Sequence, residues 1–275
     1  MDDRVFDKLS RVIYYACGIK MPRIKKTMLA ARLRKRLRIL GLDSFPAYLD
    51  YITSPAGQAD EFGHMIDVVS TNKTDFFRET KHFDLMTRTV LPEIIQRRRP
   101  GNHHLRVWSA GCSTGEEPYT LAMVLDDFLG LYPEWNYSIL ATDICTEVLS
   151  KARTAIYSEE CIAPVPTLLR QKYLMKGKGR RRGTYRVVPE LRRRIDFRRL
   201  NFMENDFAIR ERMDIIMCRN VVIYFDRQTQ GTLYEKFYRQ LATKGYLFTG
   251  HSETLHTITD RMQRIESALY QCLKK

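Results

Sequence analysis

The sequence has no C-x-x-C pair: Cys17, Cys112, Cys145, Cys161, Cys218 and Cys272 lie scattered along it. Neither a zinc site nor a disulfide framework is indicated, and reduced thiols are the expectation. Its six histidines form no H-x-x-x-H or H-E-x-x-H pattern, and His103-His104 beside Pro100-Gly101-Asn102 reads as loop, so no metal is expected. No run of about 18 uncharged apolar residues exists, which argues against a membrane span. Even the most apolar stretch, from Ile215 to Phe225, is broken by Arg219 and Asn220. Met1-Asp2-Asp3-Arg4 does not lead a basic segment into an apolar run, so no signal peptide is expected. Internal repeats are also absent.

What is present is a chain of 275 residues, 44% hydrophobic and 28% charged, enough for one large domain or two modest ones with a proper core. Its net charge of +14 suits nucleic acid, an anionic membrane or an acidic protein, and the total does not choose among them.

The first 80 or so residues read as helices. Val5, Phe6, Leu9, Val12 and Ile13 recur at helical spacing. A second helix opens at Met21-Pro22 and runs to Leu40, stopped by Gly41, with Leu29, Leu33, Leu37 and Leu40 as its apolar stripe. Lys25, Arg32, Arg34, Lys35, Arg36 and Arg38 cover most of the rest. A third helix follows Ser44-Phe45-Pro46, and a fourth runs roughly from Asp60 to Ser70.

After Arg97-Arg98-Arg99-Pro100-Gly101 the pattern changes to strands near 105–110, 137–141, 195–197, 214–218 and 246–249, alternating with helices near 118–129, 146–156 and 228–241. That alternation implies an α/β fold with a parallel sheet covered on both faces. The segment from about Pro164 to Arg194 fits poorly. Gly177, Gly179 and Gly183 followed by Thr184-Tyr185-Arg186-Val187-Val188 suggest an inserted hairpin.

Val107-Trp108-Ser109-Ala110-Gly111-Cys112-Ser113-Thr114-Gly115-Glu116-Glu117-Pro118 is a strand, a small-residue loop and a helix start. In doubly wound folds ligands lie beyond the carboxyl ends of the strands, where small residues allow close backbone approach. This is not G-x-G-x-x-G, and two glutamates would repel a pyrophosphate while attracting a cation. S-adenosylmethionine, with its sulfonium and amino group, has the right sign. Asp143 closes the next strand, 28 residues after Gly115. An acid there commonly accepts ribose hydroxyls, and the alternative is a cap for the helix near Thr146. Thr71 to Glu79 sets amide, hydroxyl and guanidinium groups around Phe76-Phe77, and Asn220 ends the apolar strand before Val221. Spacing and composition leave structural readings open for both stretches.

T-N-x-T-x-F-F-R-E (71–79), R-V-W-S-A-x-x-S-T-G-E-E-P-Y (106–119), D-I-x-T-E-V-L-x-K-A-R (143–153), C-R-N-V-x-I-Y-F-D (218–226) and G-H-S-E (250–253) resemble the CheR family of chemotaxis receptor glutamate methyltransferases. The similarity runs through nearly the whole chain. It implies a class I, Rossmann-like methyltransferase domain (81–275) carrying an antiparallel β-subdomain (about 164–196), behind a helical domain (1–80). It implies transfer of a methyl group from S-adenosylmethionine, leaving S-adenosylhomocysteine, to receptor glutamates. Asn72, Thr74, Arg78, Glu117, Asp143, Asn201, Phe202, Asn220 and Val221 would contact the cofactor, with Arg78 and Tyr224 near the transferred methyl. Arg32, Lys35, Arg36 and Arg38 of the basic second helix would read the acidic methylation region of the receptor. Lys and Arg run without an acid from Arg23 to Arg38, and like charges at four-residue spacing oppose a helix unless they serve something. In some members the β-subdomain binds a receptor tail, and here it carries Arg180-Arg181-Arg182. The expectation is a cytoplasmic monomer, with neither nucleic acid nor membrane insertion. The rival readings are a nucleic-acid methyltransferase, supported mainly by charge, and a silent cofactor-binding adaptor. Against the first, Cys218-Arg219-Asn220-Val221 stands where base-amine enzymes carry [DNS]-P-P-[YF].

Overall fold

The computed structural model describes residues 1–99, 101–258 and 260–274. Helices α1 (Asp3–Cys17), α2 (Lys26–Leu40), α3 (Phe45–Thr53), α4 (Pro55–Asp60) and α5 (Phe62–Val69) make the first unit. The α1 helix starts where the Asp2 carboxylate accepts the Val5 amide and stops at Gly18 in the left-handed region. A 3₁₀ turn, Arg23–Lys25, precedes α2, so the helix proper begins later than Met21-Pro22, and Gly41 closes it. Phe6, Leu9, Ile13, Leu29, Leu33, Leu37, Tyr48, Ile52 and Met65 bury their side chains in one core. The fourth expected helix, near 60–70, is α5, and the short α4 before it, capped by Ser54, was not foreseen.

Helices α6 (Lys81–Leu85) and α7 (Leu91–Arg97), joined through a π turn, lead to the sheet. They were not foreseen, although Phe83, Met86, Val90, Leu91 and Ile94 face its core. Strand β1 is His104–Ala110, followed by α8 (Glu116–Leu129), β2 (Asn136–Asp143) and α9 (Thr146–Thr154). Then come β3 (Ile156–Ser158), α10 (Thr167–Tyr173), β4 (Leu174–Lys176), β5 (Thr184–Val187), α11 (Pro189–Arg192) and β6 (Ile195–Arg199). The chain ends with β7 (Met213–Cys218), α12 (Arg227–Gln240), β8 (Leu241–Thr249), β9 (Met262–Glu266) and β10 (Leu269–Cys272).

The main sheet has the order β6-β2-β1-β7-β8-β10-β9. Its first five strands pair in parallel, and β10 runs antiparallel to β8 and β9. Cores cover both faces, one built on Val107, Leu121, Ile139 and Ile215, the other on Trp108, Ile216, Phe237 and Leu247. This is the doubly wound arrangement the alternation predicts. The C-terminal hairpin β9–β10 was missed because Gln263, Arg264, Ile265 and Glu266 are all exposed, which leaves no alternation to read. The inserted sheet, β3-β5-β4, starts at Ile156, before the expected hairpin, because Ala155 adopts a left-handed conformation that ends α9 at Thr154.

Side-chain contacts from α5 and α1 help weld the helical unit to the sheet domain. Asp67 of α5 accepts from both the amide and the hydroxyl of Thr146 at the start of α9. Tyr14 donates to Asp226, the side chain that caps α12.

Candidate active site

Strand order reverses at β1, flanked by β2 and β7, and at that switch point the fold leaves a crevice beyond the carboxyl ends. Gly111 has φ +91°, and a Cβ there would meet Val221 Cγ2 at 2.5 Å, so the loop after β1 can only be glycine at this approach. Gly115, φ +100°, is equally pinned against Tyr157 and Ala152. A cleft of about 890 Å³, open to solvent, lies here. Volume alone does not select it, since a cleft lined by Tyr119, Arg153, Arg192 and Arg193 is as large. Position does.

Its walls hold Asn72, Thr74, Arg78, Glu117, Asp143, Asn201, Phe202, Asn220, Val221 and Tyr224, every residue the family resemblance assigns to cofactor or methyl. Sequence reasoning missed other lining residues. Cys17 and Ile19 come from the end of α1, so the helical unit supplies part of the wall. Arg219 and Ser113 sat inside quoted motifs without a role.

Asp143 is buried and does not cap α9; that helix has no side-chain cap from its own strand. Its Oδ2 accepts the Ser113 amide at 2.8 Å and Oδ1 the Cys145 amide at 3.0 Å, tying the loops after β1 and β2 together. Burial pushes its carboxyl pKa up, against the pull of these amides. Each oxygen keeps a further lone pair for a hydroxyl. Glu117 is bound from behind: Ser109 Oγ donates to Oε1 at 2.7 Å and Arg219 Nε to Oε2 at 2.8 Å. Glu116 turns away to Thr114 and Cys161, so only one of the two glutamates serves the cleft. Asn201 lines the cleft, yet its side chain is engaged with Ala16 O and the Met203 amide.

Arg219 organises the adjoining wall. Besides Glu117 it donates to the Arg78 carbonyl at 2.6 Å and to His82 Nδ1 at 3.1 Å, with Glu79 Oε2 at 3.5 Å. An Nδ1 that accepts leaves the proton on Nε2, and burial followed by the Arg219 charge holds the His82 pKa down to about 4. Glu79, His82 and His251 lie within ligand distance of one another, but the guanidinium among them opposes a cation there. Glu253 of the G-H-S-E stretch accepts the amides of Asn220, Gly250 and Ile223, fixing the loop after β7. Phe77 and Glu79 on either side of Arg78, together with Ser113 and Asn220, all have positive φ. Four such non-glycine residues around one cleft mark backbone held under strain where function sits. The stretch 71–79 is thus a strained loop, with the rings of Phe76 and Tyr157 packed edge to face at 4.9 Å between centroids.

Two of the four basic-helix residues expected to read the receptor have partners inside the helical unit. Arg32 Nη1 donates to Val69 O at 2.7 Å and Ser70 O at 2.8 Å. Arg36 forms a two-pronged pair with Glu61, which is 1% exposed. Both guanidiniums are committed inside the helical unit, because α5 packs against α2 and brings its carbonyls and Glu61 to them. Arg34, Lys35 and Arg38 remain exposed.

The donor set fits S-adenosylmethionine. It offers a buried carboxylate for hydroxyls, a second for a cationic end, and amides from Asn72 and Asn220 beside Phe202. The fold and cleft define a class I S-adenosylmethionine-dependent methyltransferase. Residues 4–70 match the family model described as CheR methyltransferase, all-alpha domain, and residues 72–271 the one described as CheR methyltransferase, SAM binding domain. The chain belongs to the CheR methyltransferase family. It is similar to the chemotaxis protein methyltransferase of Escherichia coli K12, 39% identical over 274 residues, covering 100% of this chain and 92% of that one. The protein of that name from Borreliella burgdorferi is 38% identical over 255 residues, 90% and 88% of the two chains. That from Salmonella typhimurium is 39% identical over 258 residues, 94% and 86%. The readings as a nucleic-acid methyltransferase or a silent adaptor gain no support from them. No helix among the described residues is long and apolar enough to cross a membrane.

Proposed function

We propose that this chain methylates glutamate side chains of chemotaxis receptors, forming methyl esters, and that it works as a cytoplasmic monomer without a metal. The observation that carries this reading is the presence of both Arg78 and Tyr224 in the cleft lined by Asp143 and Glu117, with no histidine among its described lining residues. The names of the relatives support receptors of chemotaxis as the target. We further propose the division into a helical unit to about residue 80 and a methyltransferase domain with an inserted β-subdomain.

Asp143 would hold the ribose hydroxyls, Glu117 the amino group, and Asn72, Thr74, Asn201, Phe202, Asn220 and Val221 the remaining surface of the cofactor. When bound, the cofactor supplies a methyl already activated on a sulfonium. A glutamate carboxylate, with an ordinary pKa of about 4.3, is ionised at neutral pH and needs no base. The chain's task is to aim that carboxylate and keep water away. The half-buried Arg78 guanidinium, whose carbonyl Arg219 holds, offers a charge-assisted contact, and the Tyr224 hydroxyl a donor. Exposed Arg34, Lys35 and Arg38 would meet the acidic helices of the receptor. The exposed Arg180-Arg181-Arg182 run of the β-subdomain suits a receptor tail tethered there.

The test is the pH dependence of turnover on receptor-containing membranes. Rate should stay flat from roughly pH 6 until tyrosine or lysine titrates. Arg78→Ala should depress turnover severely, Tyr224→Phe moderately, and His251→Gln little. A profile rising through a histidine-like pKa, and abolished by changing one histidine, would refute the base-free reading.

A further inference from the structure

Helix α5 ends at Val69, and the extended segment 70–74 that follows lines the cleft with five consecutive residues, Ser70 to Thr74. Its carbonyls at the helix end need partners. One arginine, about two turns into α2, supplies them: Arg32 donates to Val69 O and Ser70 O, three and two residues before Asn72. A cation at a helix C-terminus also meets the negative end of its dipole. On the other side, Ser113 Oγ of the glycine loop donates to Asn72 O at 2.8 Å. Asp67, on the same last turns of α5, holds the start of α9 just after the Asp143–Cys145 loop. Segment 70–74 is therefore suspended between the basic helix and the loop after β1.

We infer that Arg32 is a positioning residue for the cofactor: it fixes the segment that carries Asn72 and Thr74, and does not read the receptor. The inference rests on the cleft being the cofactor site proposed above. One helix then has two sides with separate duties, an outer one with Arg34, Lys35 and Arg38 turned to solvent and an inner one that braces the cofactor wall. Without the guanidinium, two carbonyls lose a charged donor and the segment relaxes, weakening a ligand it no longer contacts in one geometry.

The experiment is calorimetric titration of the full chain with S-adenosylhomocysteine, paired with amide hydrogen exchange at residues 71–74 without ligand. Arg32→Ala should weaken binding by roughly tenfold or more, the loss of a charged hydrogen-bond donor. Exchange at 71–74 should quicken while strands β1 and β2 stay protected. Arg34→Ala, on the outer side, should match the wild type in both. If Arg32→Ala does not fold, Arg32→Lys replaces it, and an intermediate loss of affinity supports the inference. Wild-type affinity and unchanged exchange in the substituted chain would overturn it, as would equal weakening by Arg34→Ala, which would report bulk charge alone. Failure of the wild-type chain to bind would instead count against the cleft assignment.

Discussion

Arg36 and Glu61 form a closed pair inside the helical unit: Nε meets Oε1 at 2.8 Å, Nη2 meets Oε2 at 2.5 Å, and Tyr48 donates a third bond to the same carboxylate. Glu61 is almost wholly out of water, so it depends on this partner. Removing one side of a buried pair leaves an uncompensated charge and costs about 3–5 kcal/mol. Arg36→Ala should therefore lower unfolding stability by that order in a urea titration. A change within about 0.5 kcal/mol, typical of a free surface residue, would show that Arg36 is available to a partner.

The receptor-facing charge then rests on residues that point outward. Lys35→Glu with Arg38→Glu should reduce receptor methylation at low substrate concentration and leave cofactor affinity unchanged. Turnover of the wild type should fall as salt rises, because exposed charges are screened within about 10 Å at 0.1 M salt. Salt-independent turnover together with a normal double variant would remove the basic helix from substrate recognition.

The sequence shows the site more clearly than the supports around it. Gly111, Gly115, Glu117 and Asp143 were legible because the loop between a strand and a helix admits few residue types, and their order along the chain mirrors their order along the sheet. The internal partners of Arg32 and Arg36 were not legible, because nothing local in the charge run reveals that α5 will bring carbonyls and Glu61 against it. Arg219 and Glu253 stood inside recognised motifs, but their partners lie 102 and 33 residues away. Long-range pairing of that kind leaves no periodic trace. The strand at 262–266 failed for the opposite reason, a lack of buried residues to alternate.

Asp143 ties two loops together and lines the cleft. Asp143→Ala should cost about 2–3 kcal/mol of binding, roughly 30- to 150-fold in Kd for S-adenosylhomocysteine. Calorimetry measures it directly, and unchanged affinity would move the ribose elsewhere.

His82 gives the protein a pH-sensitive support. Its pKa is held to about 4 when folded, by burial and by Arg219, with Glu79 opposing and His251 adding to the shift. Unfolded, it returns to about 6.5. Between those values the unfolded chain takes up a proton that the native chain refuses, so this residue's contribution is present above pH 6.5 and lost as pH falls toward 4. Asp143, Glu116 and Glu253, raised by burial, act in the opposite direction. The comparison that isolates His82 is therefore the Tm of the wild type minus that of His82→Gln. That difference should shrink steadily from pH 7 to pH 4.5, and a constant difference would mean His82 is not held neutral.

The most direct measurement of the central claim is transfer of labelled methyl from S-adenosylmethionine to receptor-containing membranes, followed by mild base. A carboxyl ester releases its label as volatile methanol, whereas methyl on nitrogen or on a nucleic-acid base does not. The account predicts that most incorporated label is base-labile, maps to receptor glutamates, and disappears with Arg78→Ala. Base-stable label, or label recovered in nucleic acid, would contradict it.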